Sequence, residues 1–323
     1  MPPFAETRDV PTLEASVRAW RARHPHLPRP GHGETLTRWR ALAAIAGEDV
    51  CAAKILEAHY DAQAILDDLD APLSGDPLLA VWAAEPADAR VQFRAGDGEH
   101  GVLEGTKAWC SGADRVDMAL VTAHEDDARV LVLVDLQASK PDYDDAAWQA
   151  VGMSRVRSGR VRLDGVRARR IGAAGAYLDR PGFWHGGAGI AACWFGASAA
   201  IAERLRTDAR AARSPHAAAH LGVVDMALSA TASLLRETAA AIDARPDEAH
   251  VRAVTRVRSV AERCAHTVID RVGRALGPGP LCGDAAHARR VADLTVFVRQ
   301  SHAEHDWAAL GAAAHEGEAS WAL

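Results

Sequence analysis

The chain of 323 residues is long enough for one large domain or for two to three smaller ones. Hydrophobic residues make up 49% of it and charged residues 25%, a composition that argues against intrinsic disorder. The formal net charge of -6 argues against a nucleic-acid binder, because phosphate binding depends on a basic surface. Five scattered cysteines without Cys-x-x-Cys spacing, and the lack of a signal-peptide or membrane-spanning pattern, lead us to expect a cytoplasmic protein.

Helical periodicity dominates the first part of the chain. Apolar residues recur at helical spacing over residues 34–69 and predict two helices. The preceding segment RHPHLPRPGHG contains three prolines and two glycines, so we expect an irregular lead-in there. These features define a shortened N-terminal helical domain over residues 1–75.

Short, partly alternating apolar runs follow, separated by turn signals such as AGDGEHG. They cover residues 78–84, 91–94, 102–109, 118–123, 130–136 and 156–163. Strands that follow one another without intervening helices predict an antiparallel β-barrel or sandwich. We place this β-domain at residues 76–175.

The remainder, residues 176–323, has the pattern of a helical bundle. An apolar stripe that includes Leu221, Leu228 and Ile242 predicts a long helix that ends at Pro246, and Asp247 is a candidate N-cap for the next helix. One final helix is predicted to carry Leu294, Phe297, Val298, Trp307 and Leu310. The predicted fold class is α+β, with N-terminal helices, a central β-domain and a C-terminal helical bundle.

Four sequence motifs connect this order of elements to a known family. AVWAAEP, GVLEGTKAWCSGA, VGMSRVRSGRVRLDGV and RVGRALGPGPL occur in this order, and from about Glu34 onward the chain resembles the acyl-CoA dehydrogenase superfamily. The resemblance implies a flavin bound between the β-domain and the bundle. A cofactor shared between subunits would also imply a homodimer or homotetramer.

The resemblance assigns Trp109 as a wall for the flavin ring and Ser111 as a hydrogen-bonding partner near its N5 atom. Backbone groups of residues 82–84, from Trp82 to Ala84, would face the flavin pyrimidine. The family usually has a threonine at the place of Ala84 and a Gly- and Ser-rich continuation, both absent here. The resemblance implies FAD, and the missing hydroxyls make FMN possible. The alternative for Trp109 is an ordinary barrel-core tryptophan, and Cys110 is expected in the core by strand alternation.

A glycine-rich turn, RALGPGPLCG, resembles the family's contact to the adenine-side pyrophosphate of a neighbouring subunit's FAD. Gly277 and Gly279 would allow close backbone approach and Arg274 would add charge. An ordinary turn between helices explains the same residues. The family's arginine-and-phenylalanine loop is replaced by AARSPHAAAH.

The catalytic base of the family is missing. Dehydrogenation of an acyl thioester needs a carboxylate to remove the α-proton. The usual glutamate position falls at Ser301, which we interpret as lacking a base partner, and the alternative position falls near Gly186. His185 and His302 lie beside the two vacated places and are candidates for proton transfer, since histidine exchanges a proton near neutral pH. Each could instead be a merely hydrogen-bonded or exposed histidine, and Glu304 and Asp293 are expected in surface or capping roles.

Three hypotheses follow for the function. The first is an FAD-dependent oxidoreductase that performs α,β-dehydrogenation of an acyl thioester with a non-standard base and an electron-transfer partner. The second is a monooxygenase of the same superfamily that uses oxygen and reduced flavin from a partner reductase; in such enzymes a histidine helps to hold a flavin hydroperoxide. The third is a flavin-free scaffold. The His302 and His305 pair lacks a second Glu-x-x-His element, so no metal site is expected.

Overall fold

A computed structural model describes residues 12–317 and Trp321. It begins with three helices, α1 (Leu13–Arg23), α2 (Thr35–Glu48) and α3 (Val50–Asp68). Asp49 separates the last two, because its carboxylate accepts hydrogen bonds from the Cys51 and Ala52 amides at the start of α3. The two helices predicted over residues 34–69 are confirmed, whereas α1 was not predicted.

Eight strands form the middle of the chain. They are β1 (Leu79–Trp82), β2 (Val91–Ala95), β3 (His100–Lys107), β4 (Met118–Glu125), β5 (Ala128–Asp135), β6 (Asp142–Asp144), β7 (Arg160–Arg162) and β8 (Val166–Ile171). A four-residue helix, α4 (Leu136–Ser139), follows β5. Strand β8 was missed because charged residues interrupt its alternation, and the run over residues 156–163 contributes only β7.

The sheet closes on itself. The order is β1-β4-β5-β8-β3-β7-β6, and β2 bridges β3 and β4, so five strands form a ring. The predicted barrel is thus present, although β1 and β2 pair with β4 in parallel and only the other pairs are antiparallel. The all-antiparallel expectation was wrong because the β1–β4 connection passes through β2 and β3.

Residues 176–317 form two short and five longer α-helices. They are α5 (Ala176–Asp179), α6 (Gly182–Arg206), α7 (Pro215–Ala244), α8 (Val251–Leu276), α9 (Gly279–Gly283), α10 (Ala285–Phe297) and α11 (Glu304–His315). Helix α8 begins after His250, which has a positive φ of 51°, and not after Asp247 as predicted. The single final helix is in fact α10 and α11, separated at Ser301, whose hydroxyl accepts a hydrogen bond from the Ala303 amide.

One hydrophobic core joins the helices to the barrel interior. Helices α2 and α6 cross closely within it, since a Cβ on Gly196 would lie 2.0 Å from the Ala43 carbonyl oxygen. Asp293 on α10, expected in a surface or capping role, is buried. Its Oδ1 accepts a hydrogen bond of 2.6 Å from the Met153 amide and its Oδ2 lies 3.4 Å from Cys51 Sγ. Asp293 therefore joins the barrel to α3 and α10.

Among the helices that the structure describes, α7 alone is long and apolar enough to cross a membrane by length and composition. It packs against α6 and α8, and Val224, Leu235 and Ile242 are buried. This packing is that of a bundle helix.

Candidate functional site

A cavity of about 310 Å³ lies between the barrel and the helical part of the chain. The barrel contributes the end of β1 together with β4 and β5, and the helical side contributes α5 and the α10–α11 connection. The lining residues are Ala83, Ala84, Glu85, Thr122, Arg129, Val130, Gly175, Tyr177, Leu178 and His302. This volume is at the lower end of small-molecule sites in proteins.

Glu85 is the one carboxylate among the described lining residues, and its oxygens are fully engaged. Thr122 Oγ1 donates to Oε1 at 2.8 Å, while Arg129 Nε lies 3.2 Å and His124 Nε2 3.3 Å from Oε2. Partial burial alone would raise the pKa of Glu85, but the Thr122 hydrogen bond and the nearby cations, Lys107 first, lower it. A carboxylate held ionised in this way is a poor proton acceptor.

Lys107 supports the cavity wall from inside the barrel. Its side chain is 1% exposed, and Nζ donates to the Thr122 carbonyl at 2.7 Å and to Thr122 Oγ1 at 2.8 Å. Glu85 Oε1 lies 3.8 Å from the same ammonium. Lys107 thereby fixes both Thr122 and Glu85 at the cavity.

The segment that carries His302 is held by two buried charged side chains of α8. Glu262 Oε2 accepts a hydrogen bond of 2.6 Å from Ser301 Oγ, and Arg258 donates to the carbonyls of Gly187 and Gln300. Ser301, which we interpreted as lacking a base partner, therefore has a buried carboxylate beside it. The serine is a positioning residue for this segment.

His302 reaches the cavity from this segment with a side chain that is 72% exposed. Its Nδ1 lies 3.5 Å from Asp306 Oδ1 on α11. Asp306 can orient the ring and leave Nε2 free for exchange with a ligand or solvent.

Trp109 and Ser111 lie beyond the end of β3 and not on the strand. Trp109 has a φ of +58°, its side chain is 59% exposed, and its ring meets Trp148 edge-on at 6.1 Å. The alternative of a barrel-core tryptophan was therefore wrong. Ser111 Oγ lies 2.8 Å from Ser158 Oγ. Cys110 between them is buried as expected, although strand alternation is not the reason.

No protein-family model matches the sequence, and no curated protein matches it. Solved structures do match in fold. Dibenzothiophene monooxygenase TdsC from Paenibacillus sp. A11-2 is 18% identical, with 93% of this chain and 89% of that chain covered and a TM-score of 0.76. Methanesulfinate monooxygenase MsuC from Pseudomonas fluorescens is 16% identical, with coverages of 96% and 89% and a TM-score of 0.75. KijD3 in complex with FMN and a dTDP-amino sugar is 16% identical, with coverages of 88% and 80% and a TM-score of 0.74.

The chain has the acyl-CoA dehydrogenase-like fold. The α+β architecture expected from the sequence, with N-terminal helices, a barrel and a helical bundle, is confirmed. At these identities the likeness establishes the fold alone.

The two candidate histidines of this acyl-CoA dehydrogenase-like fold occupy different environments. His185 is buried on α6, and its Nε2 donates to the Glu248 carbonyl oxygen at 2.8 Å in the α7–α8 connection. Burial lowers the pKa of His185, an effect that the Glu248 carbonyl opposes. The structure places His302 on the cavity and His185 against this connection.

Gly277 and Gly279, which the resemblance assigns to phosphate binding, lie where α8 ends and α9 begins. Gly277, with a φ of +66°, terminates α8, and Gly279 begins the five-residue α9. A Cβ on either glycine would meet no described atom within 4 Å, so the backbone is open on that side. Arg274 Nε donates to Asp270 Oδ1 at 2.7 Å, which pairs its charge. The turn interpretation explains these contacts, and the phosphate role stays a prediction.

Trp82 and Ala84, which were predicted to face the flavin together, lie in different environments. Ala84 lines the cavity, whereas Trp82 is buried and its Nε1 donates to the Ser111 carbonyl oxygen at 3.3 Å. Within residues 12–317 and Trp321, no group of three or more His, Cys, Asp or Glu side chains could hold a metal ion.

Sequence reasoning missed Thr122, Arg129 and Tyr177 as cavity residues and Glu262 as the partner of Ser301. Thr122 and Arg129 lie on strands whose apolar pattern was the only signal used. Tyr177 follows β8, a strand that was itself missed, so no sequence signal placed it at the cavity.

The burial of Lys107 predicts a pH dependence of stability. Burial lowers the pKa of Lys107 from 10.5 to about 8, a shift that Glu85 opposes. Between about pH 8 and pH 10.5, Lys107 is protonated in the unfolded chain and deprotonated in the folded chain. The contribution of Lys107 to the free energy of unfolding should therefore rise with pH from about 8 to about 10.5, by at most about 3 kcal/mol.

We expect wild type to gain stability relative to Lys107→Met across this pH range, as measured by urea unfolding at a series of pH values. The exposed Lys140 provides the control, since the difference between wild type and Lys140→Met should stay constant. A constant difference for Lys107→Met as well would contradict the prediction.

Proposed function

We propose that this chain is a flavin-dependent monooxygenase that binds reduced flavin and oxidises a small molecule in the cavity with oxygen. The observation that carries the proposal is the cavity lining, in which His302 faces the end of β1 and the one described carboxylate, Glu85, is engaged by Thr122, Arg129 and His124. Oxygenation does not require the carboxylate base that acyl-thioester dehydrogenation requires. The fold likeness to dibenzothiophene monooxygenase TdsC and methanesulfinate monooxygenase MsuC adds support.

The residues present fit a flavin. The exposed indole of Trp109 offers a flat apolar surface, and Ser111 and Ser158 offer hydroxyls, although none of these three residues is among those that line the cavity. Residues 83–84 do line it. When bound, reduced flavin supplies the reaction with oxygen. Ser111 would orient the ring, Trp109 would shield one face from water, and His302 would move a proton at the substrate side.

FMN is the flavin we propose. Crystal structures of TdsC include complexes with FMN and with indole, and KijD3 was solved with FMN. In this chain Ala84 lacks a hydroxyl, and Asp88, in the segment that follows, pairs with Arg160 at 2.5 Å. A single phosphate needs fewer contacts than the pyrophosphate of FAD, so these residues suit FMN better.

Two kinds of partner belong to the proposal. A reductase must supply reduced FMN, because the proposed reaction consumes it. A second copy of the chain forms a homodimer or homotetramer through α7, whose outward side is exposed and includes Met226, 63% exposed. We propose no nucleic-acid or membrane partner and a cytoplasmic location.

The test combines flavin titration with turnover. Purified protein is titrated anaerobically with oxidised and with reduced FMN, then mixed with oxygen and with indole, dibenzothiophene or methanesulfinate. Tighter binding of reduced FMN and an oxygenated product support the proposal. If the protein instead binds FAD and an acyl-CoA bleaches it, the acyl-thioester dehydrogenase hypothesis is supported. If it has no affinity for flavin in either redox state, the flavin-free scaffold hypothesis is supported.

Trp109→Ala should weaken FMN binding at least about fivefold, because stacking of an aromatic side chain is worth about 1 kcal/mol beyond its buried area. Fluorescence titration of FMN measures the affinity. Trp307→Ala on α11 removes another exposed indole and should leave the affinity unchanged. Equal affinities of wild type and Trp109→Ala would remove Trp109 from the flavin site.

A further inference from the structure

Arg129 on β5 brings a guanidinium to the cavity lining. Its side chain is 56% exposed, and its Nε lies 3.2 Å from Glu85 Oε2. The Arg129 carbonyl oxygen accepts a hydrogen bond of 2.8 Å from the Gly175 amide, which fixes the backbone near the start of β5. Glu85 and Gly175 both line the cavity, so Arg129 is held at the cavity through its side chain and through its backbone.

The far edge of this guanidinium is available to a ligand. Glu85 contacts Nε, and Nη1 and Nη2 have no hydrogen-bond or ion-pair partner within residues 12–317 and Trp321. Arginine presents its N–H groups in a planar fork, and two of them can donate side by side to two oxygens of one carboxylate, sulfinate or phosphate group. The Nη1 and Nη2 edge of Arg129 therefore suits an oxyanion.

Positive charge exceeds negative charge at this wall of the cavity. The Glu85 carboxylate faces two cations, the Arg129 guanidinium and the Lys107 ammonium, whose Nζ lies 3.8 Å from Glu85 Oε1. Burial lowers the pKa of Lys107 only to about 8, so Lys107 is mostly protonated at neutral pH. One carboxylate balances one of the two cations, and an anionic ligand can balance the other.

Two further carboxylates lie near the cavity without lining it. Asp306 is paired with His302, and Asp179 lies against Gly175 on α5. Neither is among the described lining residues. Glu85 is therefore the carboxylate that a ligand in the cavity meets.

Apolar side chains cover much of the remaining lining. They are those of Ala83, Ala84, Val130 and Leu178. Such a surface favours an apolar portion of a ligand, because contact with it removes apolar area from water. A cavity of about 310 Å³ limits that ligand to a small molecule. The lining as a whole therefore suits a small molecule with one anionic end and one apolar part.

We propose that Arg129 selects the substrate class, with its Nη1 and Nη2 edge binding the oxyanion of a small organic acid, a carboxylate or a sulfinate, whose apolar part lies against Ala84, Val130 and Leu178. Arg129 is then a specificity-determining residue that binds the substrate and takes no part in its oxidation. This assignment rests on the proposed function and names its substrate class. The phosphate of FMN offers similar oxyanion chemistry, so the experiment distinguishes the two sources.

The experiment is anaerobic calorimetric titration of the full chain, with and without reduced FMN, using pairs of one anion and one neutral analogue of similar shape. The pairs are benzoate with benzamide, indole-3-carboxylate with indole-3-carboxamide, and benzenesulfinate with methyl phenyl sulfoxide. We expect at least one anion to bind at least about tenfold more tightly than its neutral analogue, because hydrogen bonds between charged groups are stronger than those to neutral ones.

Variants locate the binding. Arg129→Met removes the charge at similar side-chain length, so it should weaken binding of the anion at least about tenfold and leave the neutral analogue unaffected. Arg129→Lys keeps the charge and removes the fork, so it should retain part of the preference for the anion. Arg167→Met, which replaces an exposed arginine of β8 outside the cavity lining, is the matched control and should bind like wild type. Thermal unfolding of each variant confirms that it is folded.

Four results would overturn the assignment: no binding by any of the six compounds, equal affinities within every pair, unchanged anion affinity in Arg129→Met, or an equal loss in Arg167→Met. Riboflavin, which lacks the phosphate of FMN, provides a further arm. A smaller preference for FMN over riboflavin in Arg129→Met than in wild type would also overturn the assignment, since Arg129 would then bind the flavin phosphate.

FMN titration of the same wild-type samples tests the proposed function separately. A chain that binds reduced FMN but none of the anions refutes the substrate class alone. A chain that binds an anion through Arg129 but has no affinity for flavin refutes the proposed function and leaves Arg129 as an anion-binding residue.

Discussion

His302→Ala is expected to lower the rate of substrate oxidation at least about 100-fold, the lower end of what a positioned proton-transfer group contributes. His302 lines the cavity, and Asp306 holds its Nδ1. Removing the imidazole leaves the Glu85 carboxylate and the Tyr177 phenol as the titratable oxygen groups on the described lining, and burial raises the pKa of Tyr177. Because Thr122 and Arg129 engage that carboxylate, it cannot take over the proton transfer.

The measurement is product formed per minute from whichever compound wild type oxidises, with reduced FMN and oxygen at saturation. His305→Ala is the matched control, since His305 is 86% exposed, lies next to His302 and is absent from the cavity lining. It should retain the wild-type rate. Equal rates for wild type and His302→Ala would contradict the role of His302, and equal losses in both variants would point to an effect on the whole segment.

Gly196→Ala is expected to destabilise the chain by about 3 kcal/mol or more, the upper range of overpacking effects. The added methyl carbon would lie 2.0 Å from the Ala43 carbonyl oxygen, an atom of the α2 backbone that no rotamer change can move. Helices α2 and α6 would have to separate, and the packing of Trp39 and Leu42 against α6 would be lost with them.

Thermal unfolding should show a decrease in Tm of roughly 6 °C, since each 1 kcal/mol shifts the midpoint of a chain of this size by about 2 °C. Gly222→Ala is the control because a Cβ there meets no described atom within 4 Å. That substitution should stabilise α7 by up to about 1 kcal/mol through helix propensity. Equal Tm values for wild type and Gly196→Ala would show that the two helices are not in close contact.

Much of the architecture could be predicted from the sequence, because the helices are encoded by the periodic spacing of apolar residues. The helical spacing over residues 34–69 and the apolar stripe of α7 depend on local residue order alone, and both helical regions are present. The parallel pairing of β1 with β4 could not be predicted in this way, because register between distant strands depends on tertiary packing. The break between α10 and α11 was missed because apolar residues continue on both sides of Ser301.

The candidate site was less predictable, since it is built by residues from distant parts of the chain. The family resemblance selected Ala84 and His302, and both line the cavity. It could not select Glu262, which acts through Ser301. The prediction of a surface or capping role for Asp293 was wrong for the same reason, because its partners, Met153 and Cys51, are distant in the sequence.

The tethering of the His302 segment to α8 has a consequence for protein engineering. Arg258 and Glu262 are one helical turn apart, and both reach the same short stretch of chain. A library that varies Tyr177 and Leu178 on α5 can therefore reshape the cavity while His302 stays in place. A library that varies positions 258 and 262 is expected to displace His302, even though neither residue lines the cavity.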